Sequence, residues 1–64
     1  MIVNKGTVMF AGWTAEDANA YIEQHGFTDD IIIKQKGVDS GMYKVVARER
    51  FLWRDKEKPI LIRD

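Results

Sequence analysis

The residues that could do chemistry are few, and they lie near the end of one predicted helix. His25 is the only histidine of the chain, and Asp29 and Asp30 follow it closely. Such side chains could contribute to an oxygen-rich metal site, but adjacent residues at the start of a strand point to opposite faces and no third ligand lies at a suitable spacing. We therefore interpret His25 as a helix C-terminal residue and the aspartates as a solvated turn.

Other catalytic patterns are absent from the sequence. It has no cysteine, no Gly-rich phosphate loop, no metal-binding histidine spacing and no nucleophile motif. A chain of 64 residues also has little volume for a pocket that excludes water. We expect a single-domain, non-enzymatic protein without a cofactor or metal.

The composition also bears on the compartment. A chain without cysteine lacks the disulfides of small secreted domains, so we expect a reducing, cytoplasmic environment. The apolar run at the N-terminus is short and is broken at residues 4–6, which is typical of neither a secretory signal nor a membrane span. We expect no membrane partner.

The charge is balanced overall but unevenly distributed. The formal net charge is zero, which argues against a purely electrostatic nucleic-acid binder. Residues 1–47 hold six acids against four bases, whereas residues 48–64 hold six bases against four acids. The C-terminal tail is therefore basic and the helical region acidic.

A helix is the clearest element that the sequence predicts. Thr14 and Asp17 are close to a capping box, and an apolar stripe recurs at three- and four-residue steps up to His25. Gly26 fits the left-handed position that ends a helix, and Phe27 fits the next position, where it would touch Ile22.

Strands are predicted on both sides of this helix. Residues 7–11 form a strand with Val8 and Phe10 on one face, and it reaches back to Ile2 if Gly6 marks a bulge. Residues 30–36 and 43–50 form a hairpin around the loop at 37–41. The tail would continue that hairpin through Trp53, turn at 55–58 and return as residues 60–63, with Pro59 starting an edge strand. A helix over 47–57 is the alternative.

These elements predict an α+β fold, a small two-layer β-α-β-β(-β) domain with one helix packed on a mostly antiparallel sheet. Alternation along the hairpin divides its side chains between two faces. The face predicted to meet the helix comprises Ile31, Ile33, Tyr43, Val45 and Ala47. The face predicted to look outward comprises Ile32, Lys34, Lys36, Met42, Lys44, Val46, Arg48 and Arg50.

The uncovered face of the sheet and the basic tail are the surfaces through which we expect the protein to bind a partner. An apolar centre within a charged rim is typical of interfaces, so we expect a regulator, inhibitor or adaptor that binds a protein partner. The residues expected to bind it are Lys34, Lys36, Lys44, Val46, Arg48, Arg50 and Arg54. The alternative, without a binding role, is that the long basic side chains only shield the exposed sheet from water.

Two other functions use the same surfaces. Nucleic acid could bind with cations on phosphates and Tyr43, Phe51 or Trp53 stacked on bases. A homodimer could form through the outward face or an edge strand beginning at Pro59. In the tail, Phe51 and Trp53 share the parity of Val45 and are expected in the core with one parity of residues 60–62, while Leu52 stays outside.

Residues 7–27 and 31–47 resemble the first half of a SPOR domain. The likeness consists of a strand, an Ala-rich helix, a Gly-aromatic turn, a second strand and the pattern Gly-x-Tyr-Lys-Val at 41–45. This resemblance implies binding of septal peptidoglycan outside the cytoplasm. The family's second helix-strand half has no counterpart in the sequence, and our functional expectation is not based on it.

Overall fold

The computed structural model describes residues 1–54 and 58–62. They form one helix and six short strands, in two three-stranded antiparallel sheets. The elements are β1 (Ile2–Val3), β2 (Val8–Gly12), α1 (Ala15–His25), β3 (Ile32–Lys36), β4 (Tyr43–Ala47), β5 (Phe51–Leu52) and β6 (Ile60–Leu61). The α+β class is confirmed, but the strands are divided between two sheets rather than gathered in one.

The helix begins and ends where its sequence predicts. The backbone N–H of Asp17 donates to the Thr14 hydroxyl at 3.1 Å, which satisfies one of the free donors of the first turn. Gly26 has φ of 68°, and the N–H of Phe27 donates to the carbonyl of Ile22 at 3.1 Å. This is the left-handed arrangement that closes helix C-termini.

The first sheet has the order β2-β4-β3, so β4 is its central strand. Along β3 and β4 the register is continuous, and it pairs Ile32 with Ala47 and Lys36 with Tyr43. Between β2 and β4 the register shifts: Val8 lies opposite Val46, but Phe10 lies opposite Val45. Met9 is the extra residue of a bulge, and it moves Val8 to the face opposite that of Phe10.

The second sheet has the order β1-β5-β6, and the sequence did not predict it. The chain bends at residues 48 and 49 instead of continuing the hairpin, and β5 pairs with β1. The Trp53 N–H donates to the carbonyl of Met1 at 2.8 Å, and the N-terminal amine donates to the carbonyl of Trp53 at 3.0 Å. Gly6, at φ of 88°, lies in a turn between two separate strands rather than in a bulge of one.

The described residues of the tail therefore form short strands and no helix. β5 and β6 pair Phe51 with Leu61 and Leu52 with Ile60. Residues 55–57 of the predicted turn, and the predicted end of the last strand at residue 63, lie outside the described residues.

Both sheets contribute to one hydrophobic core. Phe51 and Val45 are fully buried, the first from the β1-β5-β6 sheet and the second from the β2-β4-β3 sheet. The buried apolar residues are Val3, Ala18, Phe27, Ile31, Ile32, Val45, Ala47 and Phe51. Trp53 and Leu61 pack against them, which confirms the prediction that Phe51, Trp53 and one parity of the last strand extend the core.

Candidate protein-binding surface

The predicted alternation of side chains between the two faces is correct for β4. On β3 the observed alternation is offset by one residue from the predicted one. Val45 and Ala47 are buried, as predicted, whereas Ile32 is buried and Ile33 is 38% exposed, the reverse of the prediction. The cause is the turn before the strand, where the N–H groups of Ile31 and Ile32 both donate to the carbonyl of Thr28, at 2.9 and 3.1 Å. Strand geometry therefore begins only at Ile32, and consecutive isoleucines both enter the core.

This displacement moves two predicted site residues to the helix side of the sheet. Lys34 lies opposite Val45 and Lys36 lies opposite Tyr43, and residues directly opposite each other share a face. The Lys34 ammonium donates to Oδ1 of Asn19 on α1 at 2.7 Å. The Lys36 ammonium lies 5.6 Å from the centroid of the Tyr43 ring, a cation–π contact.

Lys44 and Val46 do lie on the other face, which we call the outward face. Two rows of paired residues cross it from β2 through β4 to β3: Val8, Val46 and Ile33 in one row, and Ala11, Lys44 and Gln35 in the other. Val8 is 51% exposed, so the first row is an apolar strip open to solvent. Among these six residues, Lys44 carries the only charge.

The predicted arginines lie outside the strands. Arg48 is exposed after the end of β4, and its guanidinium donates to the backbone carbonyl of Asp29 at 3.1 Å. Arg50 is exposed directly before β5, where its carbonyl accepts from the N–H of Ile62 at 3.0 Å, and Arg54 is exposed after β5. Of the six residues predicted to share the outward face, only Lys44 and Val46 lie on it. The prediction is wrong for Lys34, Lys36, Arg48 and Arg50, because β3 is offset by one residue and the chain bends after β4.

A groove lies next to the outward face, and it was not predicted from the sequence. It has a volume of about 270 Å³ and runs between β1 and the start of β2. Its lining includes Met1, Ile2, Val8, Met9 and Trp53, with polar groups from Asn4 and Thr7. The bulge at Met9 and the pairing of β1 with β5 create this groove, and neither has a recognisable local signal in the sequence.

Aromatic side chains fill the other side of the molecule, between α1 and the core. The ring of Tyr21 stacks on Phe10 with centroids 4.7 Å apart, and its burial raises the pKa of its hydroxyl. The His25 imidazole lies 4.6 Å from Tyr21 and meets the Trp53 ring edge-on at 5.3 Å. His25 therefore combines its position in the last helical turn with aromatic packing.

The remaining chemical candidates do not converge. The Thr28 hydroxyl donates to the Asp30 carboxylate, within the turn that leads into β3. Within residues 1–54 and 58–62, no three histidine or acidic side chains gather in a way that could hold a metal ion. In the same part of the chain, no helix is long and apolar enough to cross a membrane.

Comparisons with known proteins give no relative: no family model, no curated protein and no solved structure matches the chain. The resemblance to SPOR domains therefore has no support from these comparisons.

Proposed function

We propose that this protein is a non-enzymatic binding protein, a regulator, inhibitor or adaptor, that holds an acidic segment of a protein partner on its outward face. The helix and the β2-β4-β3 sheet would then act as two layers, with the helix supporting the sheet from behind. The observation that carries the proposal is the apolar row of Val8, Val46 and Ile33, which crosses all three strands and has Lys44 beside it.

The chemistry of this face favours a protein partner that combines apolar and acidic side chains. Interfaces bury an apolar centre, and Val8, Ile33 and the adjoining groove with Met1 and Ile2 provide one. The strands of this sheet contain no acidic residue, and the first acid of the chain is Glu16. An acidic partner would therefore meet Lys44 without a like charge on the strands themselves.

A peptide display experiment tests this function directly. We expect random peptides selected on the purified protein to combine acidic and apolar residues. We also expect the amide NMR signals of Val8, Ile33 and Val46 to shift when such a peptide is titrated. Lys44→Glu should weaken binding at least roughly tenfold, about 1.4 kcal/mol, because it replaces attraction by repulsion next to the apolar row.

Lys58→Glu is the matched control, since it makes the same change of charge at an exposed residue outside this sheet. It should leave the affinity unchanged. Selection of no peptide, or shifts confined to the outer side of α1, would contradict the proposal. Equal weakening by both variants would indicate attraction by overall charge rather than a site on the outward face.

The two other functions stay predictions that no observation favours. Phe51 is fully buried and so is not free to stack on a base, and the Tyr43 ring has the Lys36 ammonium over it. Self-association would leave the outward face covered by a second copy. Light scattering coupled to size exclusion measures the molecular mass in solution. A mass equal to that of one chain would contradict self-association.

A further inference from the structure

Strand β3 is the least covered strand of its sheet. It lies at an edge, with β4 as its neighbour, and α1 packs on β2 and β4. All four residues from Ile33 to Lys36 are exposed, whereas the central strand β4 is buried at Val45 and Ala47. From Ile33 onward, the side chains on both faces of β3 are therefore exposed, and one edge of the strand has no neighbouring strand.

The hydrogen-bond pattern identifies which backbone groups point away from the sheet. In an antiparallel pair, residues that exchange hydrogen bonds alternate with residues that do not. The N–H of Gly37 donates to Met42 at 2.7 Å and that of Arg48 donates to Ile31 at 2.8 Å, at the two ends of the β3-β4 pair. With the register in between, the backbone groups of Ile33 and Gln35 face β4.

It follows that the N–H and C=O groups of Lys34 and Lys36 are directed outward from the edge. The same two residues carry the only charges of β3, and both of their side chains lie on the helix side of the sheet. An edge of this kind can accept a further strand, whose backbone supplies the hydrogen bonds and whose alternate side chains supply the specificity.

We propose that an acidic segment of the partner adds to β3 as an antiparallel fourth strand, with carboxylates opposite Lys34 and Lys36. This mode of binding rests on the function proposed above and adds the edge of β3, with Lys34 and Lys36, to the residues of the outward face. Directly opposite side chains of antiparallel strands have Cβ atoms about 4.5–5.5 Å apart, so a Glu opposite each lysine forms an ion pair. The Lys34 ammonium has three N–H donors and gives one to Asn19, so donors remain for a carboxylate.

The intervening side chains of such a strand would reach the other face. A residue opposite Ile33 would extend the apolar row of Val8, Val46 and Ile33 by one strand. The partner sequence would therefore alternate apolar and acidic residues. This pattern connects the edge of β3 with the outward face in one continuous binding surface.

A second copy of the protein fits this edge poorly. Antiparallel pairing of two β3 strands over their full length sets Lys34 against Lys34 and Ile32 against Lys36, because paired residue numbers then sum to a constant. Parallel pairing in register sets each lysine against itself. Like charges directly opposite each other are unfavourable, and lysines are a usual means of discouraging contact between identical edges.

The test uses a defined probe, the acetylated and amidated peptide Thr-Val-Glu-Val-Glu-Val-Thr. We expect it to slow amide hydrogen exchange at Lys34 and Lys36, while the amides of Ile33 and Gln35, which already face β4, change little. Methylation of the two glutamate nitrogens should abolish binding, because those N–H groups would face β3. Methylation of the flanking valine nitrogens should have little effect, and equal effects of the two methylations would overturn the proposal.

Charge exchange separates this mode of binding from the function proposed above. The double variant Lys34→Glu and Lys36→Glu should lose at least tenfold in affinity for the glutamate peptide. It should regain binding with lysine in place of both glutamates, which also shows that the variant is folded. If the double variant binds the glutamate peptide normally, strand addition is wrong. If Lys44→Glu nevertheless weakens binding of the display-selected peptides, the function proposed for the outward face is supported even though strand addition is wrong.

Discussion

At the scale of single residues, Phe51 joins the β1-β5-β6 sheet to the end of the helix. Its side chain is fully buried, it pairs with Val3 and Leu61 in the β1-β5-β6 sheet, and its ring meets that of Phe27 at 5.9 Å. Phe27 follows the helix, so one aromatic contact joins the β1-β5-β6 sheet to the end of α1. Phe51 therefore belongs both to its own sheet and to the aromatic packing at the end of α1.

We predict that Phe51→Ala largely unfolds the protein at 25 °C. Truncation of a buried phenylalanine costs about 3–5 kcal/mol, because it removes apolar contacts and leaves a cavity. Domains of this size seldom have more than about 3–5 kcal/mol from one core. Circular dichroism at 222 nm and urea denaturation would measure the loss.

Val38→Ala is the control for this prediction, since Val38 is 98% exposed in the loop between β3 and β4. Its effect should stay within about 0.5 kcal/mol, as is usual for surface substitutions. A native-like denaturation curve for Phe51→Ala would show that the two sheets do not depend on a common core.

At the scale of elements, the helix carries its own start and stop signals, and the stop can be tested alone. Gly26 has φ of 68°, a region where a side chain with a Cβ is unfavourable, and no atom lies within 4 Å of where that Cβ would be. Any cost of substitution is therefore conformational rather than steric. We predict that Gly26→Ala destabilises the protein by about 1–2 kcal/mol, measured by chemical denaturation.

Gly26→Asn is the matched variant for this position. Asparagine enters the left-handed region more readily than alanine, because its short polar side chain can bond locally. It should therefore lose clearly less stability than Gly26→Ala. Equal losses for the two variants would show that the cost comes from something other than the backbone angle.

The elements also show how far sequence reasoning reaches. Thr14, Asp17 and Gly26 predict the helix ends because caps depend on chemistry within a few residues. The faces of β4 follow from strict alternation along one strand. Both of these predictions are confirmed, and both rest on local information.

The errors have two causes: pairing between distant segments, and a local turn that delays the start of β3. The bulge at Met9 and the late start of β3 at Ile32 each move side chains to the opposite face, and a shift of one residue is enough to do so. The pairing of β1 with β5 joins the two ends of the chain, and β1 is only two residues long. A strand that short has almost no periodic signal. Of the seven residues predicted to bind the partner, therefore, only Lys44 and Val46 lie on the outward face.

At the scale of the whole molecule, the common core predicts that the two sheets unfold together. Val3 and Phe51 from one sheet and Val45 and Ala47 from the other belong to a single buried cluster. Neither sheet would keep its buried side chains covered without the other. Small domains with one core usually unfold in a single cooperative transition.

The two tryptophans allow this prediction to be tested, because they report on different environments. Trp53 packs against the core, with its ring 5.2 Å from Phe27, whereas Trp13 is 71% exposed. In a Trp13→Phe background, fluorescence follows Trp53 beside the β1-β5-β6 sheet, while circular dichroism at 222 nm follows α1. We expect the two urea denaturation curves to superimpose, with a midpoint close to that of the unsubstituted protein. If fluorescence changes at lower urea than the helix signal, the β1-β5-β6 sheet opens as a separate unit, and the groove beside Trp53 would open with it.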